Sequence, residues 1–193
     1  MRGQRSLYAR GLTRMKSGKL VLTELAKGLP GITPEFGATL SQAGAICFES
    51  QNHSNGVHLQ VNGTFEAKYQ VFWQQVTDQM LRCWSDPEYT TEQGAYSVAI
   101  LLMLDLTGYA VIEKSRKGSG FDYWLGITED SEKLPFQNMA RLEVSGIRSG
   151  GDSLVRARVN EKLKQVSPSD GIYLPAYIVV VEFGSPLSQV VKK

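Results

Sequence analysis

The run Tyr177-Ile178-Val179-Val180-Val181 constrains the fold more than any other stretch. Alternate residues of a strand point to opposite faces, so an unbroken apolar run makes a strand with no polar side. Such a strand, expected over Ala176 to Phe183, has to be covered from above and below, as in α/β domains with helices on both faces of a sheet. Two segments supply those helices. From Thr91 to Gly108 apolar residues fall on almost every side after Gly94, which predicts a buried helix ended by Gly108, with Gly94, Ala95 and Ala99 allowing close approach of a neighbouring backbone. From Asp152 or Ser153, read as the cap, Leu154, Val155, Val159, Leu163 and Val166 share one buried face to Val166, leaving Arg156, Arg158, Lys162 and Lys164 around the outer side.

The front half is read the same way. Gly28, Pro30, Gly31 and Pro34 interrupt regular structure after a short helix or strand at Lys19–Lys27, and Thr39 with Gln42 forms a capping-box pattern that predicts a helix from Leu40 to Glu49. Val57–Val61 and Phe65–Trp73 alternate strictly around Asn62-Gly63, a hairpin signal. A two-residue turn would put the two apolar sets on opposite faces; a loop of Asn62, Gly63 and Thr64 pairs Val61 with Phe65 and makes them agree. Thr77 caps a short helix to Trp84 that Asp86-Pro87 breaks.

Between the two long helices, Tyr109–Glu113 reads as a strand. Two further strands follow, one holding Phe121-Asp122-Tyr123-Trp124-Leu125 and one holding Ala140-Arg141-Leu142-Glu143-Val144-Ser145, joined through an acidic turn at Glu129-Asp130-Ser131-Glu132. Arg141, Glu143 and Ser145 share a face opposite Ala140, Leu142 and Val144, and an acid on each of two adjacent strands converges where a divalent cation is attracted. Gly-Phe-Asp-Tyr-Trp-Leu followed by Arg-Leu-Glu-Val-Ser resembles the metal-dependent nucleases of the PD-(D/E)xK superfamily, over about Thr90 to Phe183. The resemblance implies a restriction-endonuclease-like core at 89–193 with a mixed central sheet flanked by helices. Residues 1–88 then form an N-terminal arm, helix and β-hairpin extension packed on that core.

The resemblance also implies a site. Asp122 and Glu143 match the two acids that hold Mg²⁺, and Glu92, at the start of the Thr91 helix, matches a further acid, although the helix dipole alone favours Glu in a first turn. Ser145 stands where the family has lysine. Lys114 or Arg141 are the substitutes, arginine as a charge stabiliser because it stays protonated. The implied activity is Mg²⁺-dependent phosphodiester cleavage, of DNA. Its rival is a catalytically silent relative that binds a protein or nucleic acid; in a third reading Glu143 is an ordinary strand residue facing Arg141.

Charge narrows the partners only by its distribution. The 193 residues carry a net +2, but Arg2, Arg5, Arg10, Arg14, Lys16 and Lys19 fill the first twenty positions with no acid, as a phosphate-touching arm or a solvated terminus. Lys114, Arg116 and Lys117, with Arg148 in a second loop, are the candidate nucleic-acid contacts. Cys47 and Cys83 lack zinc-site spacing, and His53 and His58 have no partner at metal spacing. No apolar run approaches the roughly twenty residues of a membrane helix, so a cytoplasmic protein is expected.

Overall fold

The computed structural model describes residues 15–127 and 139–193. The arginines at 2–14 and the acidic turn at 129–132 lie outside the described residues. The chain runs β1 (Lys16–Val21), a 3₁₀ turn (Leu22–Lys27), α1 (Pro34–Glu49), β2 (Val57–Gly63), β3 (Ala67–Phe72), α2 (Asp78–Cys83), α3 (Pro87–Thr107), β4 (Ala110–Lys114), β5 (Tyr123–Gly126), β6 (Ala140–Ile147), α4 (Gly151–Val166), a second 3₁₀ turn (Ser167–Ile172), β7 (Ala176–Glu182) and β8 (Leu187–Lys192). The strands form one mixed sheet in the order β1-β3-β2-β8-β7-β6-β5-β4.

The expected α/β layering is present. β7 is buried along its whole length. On one face of the sheet α1 and α3 enclose the larger core, with Leu59, Tyr69, Leu102, Tyr123, Leu142 and Val179 among its buried members. On the other face α4 seats Val155, Val159 and Val166 on Ile178 and Val180. Removing a buried leucine or valine side chain from water contributes about 1.5–3 kcal/mol, so these two contacts hold the layers together. Close approach between α1 and α3 depends on small residues: a Cβ at Gly94 would lie 2.7 Å from Cys47 Sγ, and one at Gly44 would lie 2.3 Å from Ser97 Oγ.

Several expectations are corrected. The prolines do follow the ends of the preceding segments, at Lys27 and Cys83, but each also opens the next helix earlier than expected: Pro34 is in the first turn of α1, capped by Thr33 accepting from Phe36 N at 3.2 Å, and Pro87 opens α3, capped by Asp86 accepting from Glu88 N at 2.9 Å. The missing proline N–H costs nothing where a helix has unpaired donors anyway. α4 starts at Gly151 with no side-chain cap, and its Leu154 is 41% exposed.

The hairpin pairs Val61 with Ala67, two residues beyond the expected Phe65, which keeps the faces in agreement. Asn62 and Gly63 leave β3 and pair with Gln189 and Val190 of β8, a strand that went unrecognised. Through β8 the hairpin is a continuous part of the central sheet and not an extension upon it.

Gly63 has φ +108, and a Cβ there would lie 2.2 Å from the carbonyl oxygen of Val190. Gly63→Val is expected to destabilise the protein by about 2 kcal/mol or more in urea unfolding, combining strained φ with a clash against β8. Gly118→Ala, at φ +90 but in open space, is the control and should cost about 1 kcal/mol.

Candidate functional site

β6 has side chains buried on both faces. Ala140, Leu142 and Val144 join the larger core. Arg141, Glu143 and Ser145 face the other way, 3%, 2% and 7% exposed. Burying such groups costs several kcal/mol each unless they are paired, and α4 with the turn after it pairs them one by one. Arg141 donates to Ser169 Oγ at 2.5 Å and Leu174 O at 2.7 Å. Glu143 Oε1 accepts from Lys162 Nζ at 2.7 Å and Gln165 Nε2 at 2.8 Å. Ser145 Oγ accepts from Arg158 Nη1 at 2.8 Å.

Asp122 immediately precedes β5, and its strand lies beside β6 as expected: Tyr123 pairs with Leu142, and Asp122 N donates to Leu142 O at 2.8 Å. Its carboxylate accepts from Val144 N at 2.9 Å and from the Tyr96 hydroxyl at 2.9 Å. The Tyr96 hydroxyl also lies 3.2 Å from Glu92 Oε1. It has one proton to give, so it serves one carboxylate at a time. Burial and the adjacent Asp122 push its pKa well above the usual tyrosine range, so it remains a donor.

Glu92, Asp122, Glu143, Ser145, Arg148, Arg158 and Lys162 all line one cleft of about 770 Å³. Of the other expected residues, Arg141 is spent on the 3₁₀ turn at the far end of the strand and does not line the cleft. Lys114 lies with its ammonium 4.2 Å from the Tyr123 ring centre and 4.9 Å from that of Tyr96, and does not line the cleft. It lines a separate open groove of about 710 Å³ beside the Lys27–Pro34 turn. Arg116 and Lys117 are exposed in the loop after β4, outside the cleft. Glu92 is not in a first turn, because α3 begins five residues earlier.

Gln165 and Tyr96 escaped the sequence reading, and Lys162 and Arg158, expected on the outer side of α4, instead face β6. Arg158, Lys162 and Gln165 fall at i, i+4 and i+7 on α4, one helical stripe, but a helix with cations on two sides does not reveal which side meets a sheet. The signal was on β6: a polar face on a strand enclosed from both sides requires partners on the covering helix.

Burial first, then the Asp122 carboxylate beside it, pushes the pKa of Glu143 from 4.5 up to about 7, against the pull of Lys162. Its Oε2 is buried and has no hydrogen-bond partner. An unpartnered carboxylate oxygen next to a second carboxylate fits a divalent cation, which would satisfy both. The donor set is two acids, since no group of three Asp, Glu, His or Cys side chains placed to hold a metal occurs among the described residues. Comparison of the chain with protein-family models, curated proteins and solved structures finds no match. No described helix is long and apolar enough to cross a membrane.

A carboxyl whose pKa is higher in the folded than in the unfolded chain binds its proton more tightly when folded. Its contribution to stability is therefore complete below pH 4.5 and is lost as the pH rises through about 7. In metal-free protein, the stability of the wild type relative to Glu143→Gln should fall by up to about 3 kcal/mol across that window, read from urea unfolding at a series of pH values. A flat difference would show that Glu143 titrates normally.

Proposed function

We propose that this chain is a Mg²⁺-dependent phosphodiesterase that cleaves nucleic acid, DNA in the first instance, with Asp122 and Glu143 as the metal ligands. The observation that carries the reading is the convergence of these two acids, one from the residue before β5 and one from β6, in a cleft whose other wall presents Arg158 and Lys162. A bound Mg²⁺ would supply Lewis acidity to the phosphoryl oxygens and lower the pKa of a coordinated water.

The chain's own residues do the rest. Tyr96 and Val144 N hold Asp122 in place. Lys162 brings to Glu143 the positive charge that position 145 lacks, and Arg158, anchored on Ser145 Oγ, adds a second cation. Both are available to the charge that grows on a phosphate in the cleft. Ser145 supports Arg158 and supplies no charge itself.

The rival reading is a catalytically silent binding module. It is favoured by the partners that α4 supplies to Glu143 Oε1 and to Ser145, as a structural polar layer would.

Cleavage of DNA with Mg²⁺ or Mn²⁺, halted by chelation, separates the two. Asp122→Ala and Glu143→Ala should each reduce it by more than about 100-fold while the circular dichroism spectrum remains that of a folded protein. Ser145→Lys, which the sequence alone nominates as a gain of function, should instead lower activity and stability, because the new ammonium would meet Arg158 where the serine hydroxyl now accepts. Absence of both cleavage and metal binding in the wild type would leave the binding module.

A further inference from the structure

Among the described residues, half of one sheet face is left uncovered, and the charges carried by its strands are of one sign. β1, β3 and β2 carry two cross-strand rows, Lys19–Gln70–His58 and Ser17–Lys68–Gln60. Gln60 pairs with Leu187 of β8, and directly paired residues point the same way. Leu187 packs in the cluster with Val155 and Val159 of α4, so the rows lie on the α4 side of the sheet. α4 itself packs on β6, β7 and β8. Lys19, Lys68 and His58 are exposed, and Gln60 and Gln70 half-buried.

Within the three strands no Asp or Glu occupies this face; the nearest acid in sequence is exposed Glu66, just ahead of β3. A solvated sheet face normally mixes both signs. Lys19 and Lys68 stand on neighbouring strands without a counter-charge among these rows, and the Lys19 ammonium lies 5.7 Å from the centre of the half-buried Phe72 ring. The chain enters this face through the edge strand β1. Ahead of it come Arg2, Arg5, Arg10 and Arg14 with no acid. The complementary occupant of a face with this charge is an extended polyanion.

We propose that this open face binds a single strand of nucleic acid. Lys19 and Lys68 take the phosphates, Phe72 offers a ring for a base to stack on, and the amides of Gln60 and Gln70 meet base edges. Lysines alone would suit any polyanion; the amides in these rows and the Phe72 ring beside them, paired with Val21 on the same face, select bases. The inference does not rest on cleavage in the Asp122–Glu143 cleft.

The test uses the full chain with divalent metal chelated, so binding and cutting are read separately. Fluorescence anisotropy with a labelled single-stranded oligonucleotide should show salt-dependent binding. Lys19→Glu with Lys68→Glu should weaken it at least tenfold and flatten the slope of log K against log salt by about 1.4, the contribution of two phosphate contacts. Phe72→Ala should weaken it with the slope unchanged. All these side chains lie on the uncovered face, and thermal melting verifies the fold of each variant. Unchanged affinity and slope in the folded double variant would overturn the proposal. So would lysine-dependent binding to phosphatidylserine vesicles without binding to the oligonucleotide, or a dimer by light scattering that the two substitutions disperse.

Discussion

The contact on which the rest of the molecule depends is the polar seam between β6 and α4. A strand at the heart of a sheet ordinarily buries apolar side chains on both faces, yet β6 turns arginine, glutamate and serine toward a helix. Leaving one of them unpaired would cost more than a good apolar contact returns. The seam therefore fixes the rotation of α4 about its axis. In that orientation Arg158, Lys162 and Gln165 meet Ser145 and Glu143 Oε1 while Val155 and Val159 stay buried.

The seam also explains why one glutamate is unusual. Glu143 has an ammonium and an amide on one oxygen and nothing on the other, with Asp122 alongside. Two carboxylates so placed repel unless a proton or a cation intervenes. The opposite wall is set just as tightly. A Cβ at Gly146 would lie 2.4 Å from the carbonyl oxygen of Thr91, so glycine is what allows β6 and α3 to touch there. That contact sets the depth at which Tyr96, a little over a turn further along α3, reaches Asp122.

Much of this was legible in the residues. The buried β7, the α3 and α4 segments, the neighbouring β5 and β6 strands and the acids on them all follow from local periodicity, which is a property of a few adjacent residues. The failures were of other kinds. Pro34 and Asp86-Pro87 follow the end of one segment, as expected, and also begin the next helix, a second role that only the cap geometry reveals. Leu187–Lys192 is too short and too polar to declare itself, and becomes a strand because β7 and β2 offer partners on both sides. Arg141 and Lys162 exchange their expected importance for a similar reason: the nearest cation in sequence is engaged elsewhere, and the useful one comes from a helix that only the tertiary fold brings to Glu143.

The place of β8 governs how the chain reaches its folded state. It pairs with β7, a few residues away, and with β2, so that Gln60 meets Leu187 only after most of the sequence lies between them. As the polypeptide leaves the ribosome, the β2–β3 ribbon appears early with one edge of unpaired amides and carbonyls, and its partner strand appears late. Closing so distant a pair is slow because the entropy of the intervening loop is lost before any contact repays it. Until then the ribbon is an open template for another strand, which makes nascent chains, more than the finished fold, the point at which this protein is vulnerable to aggregation.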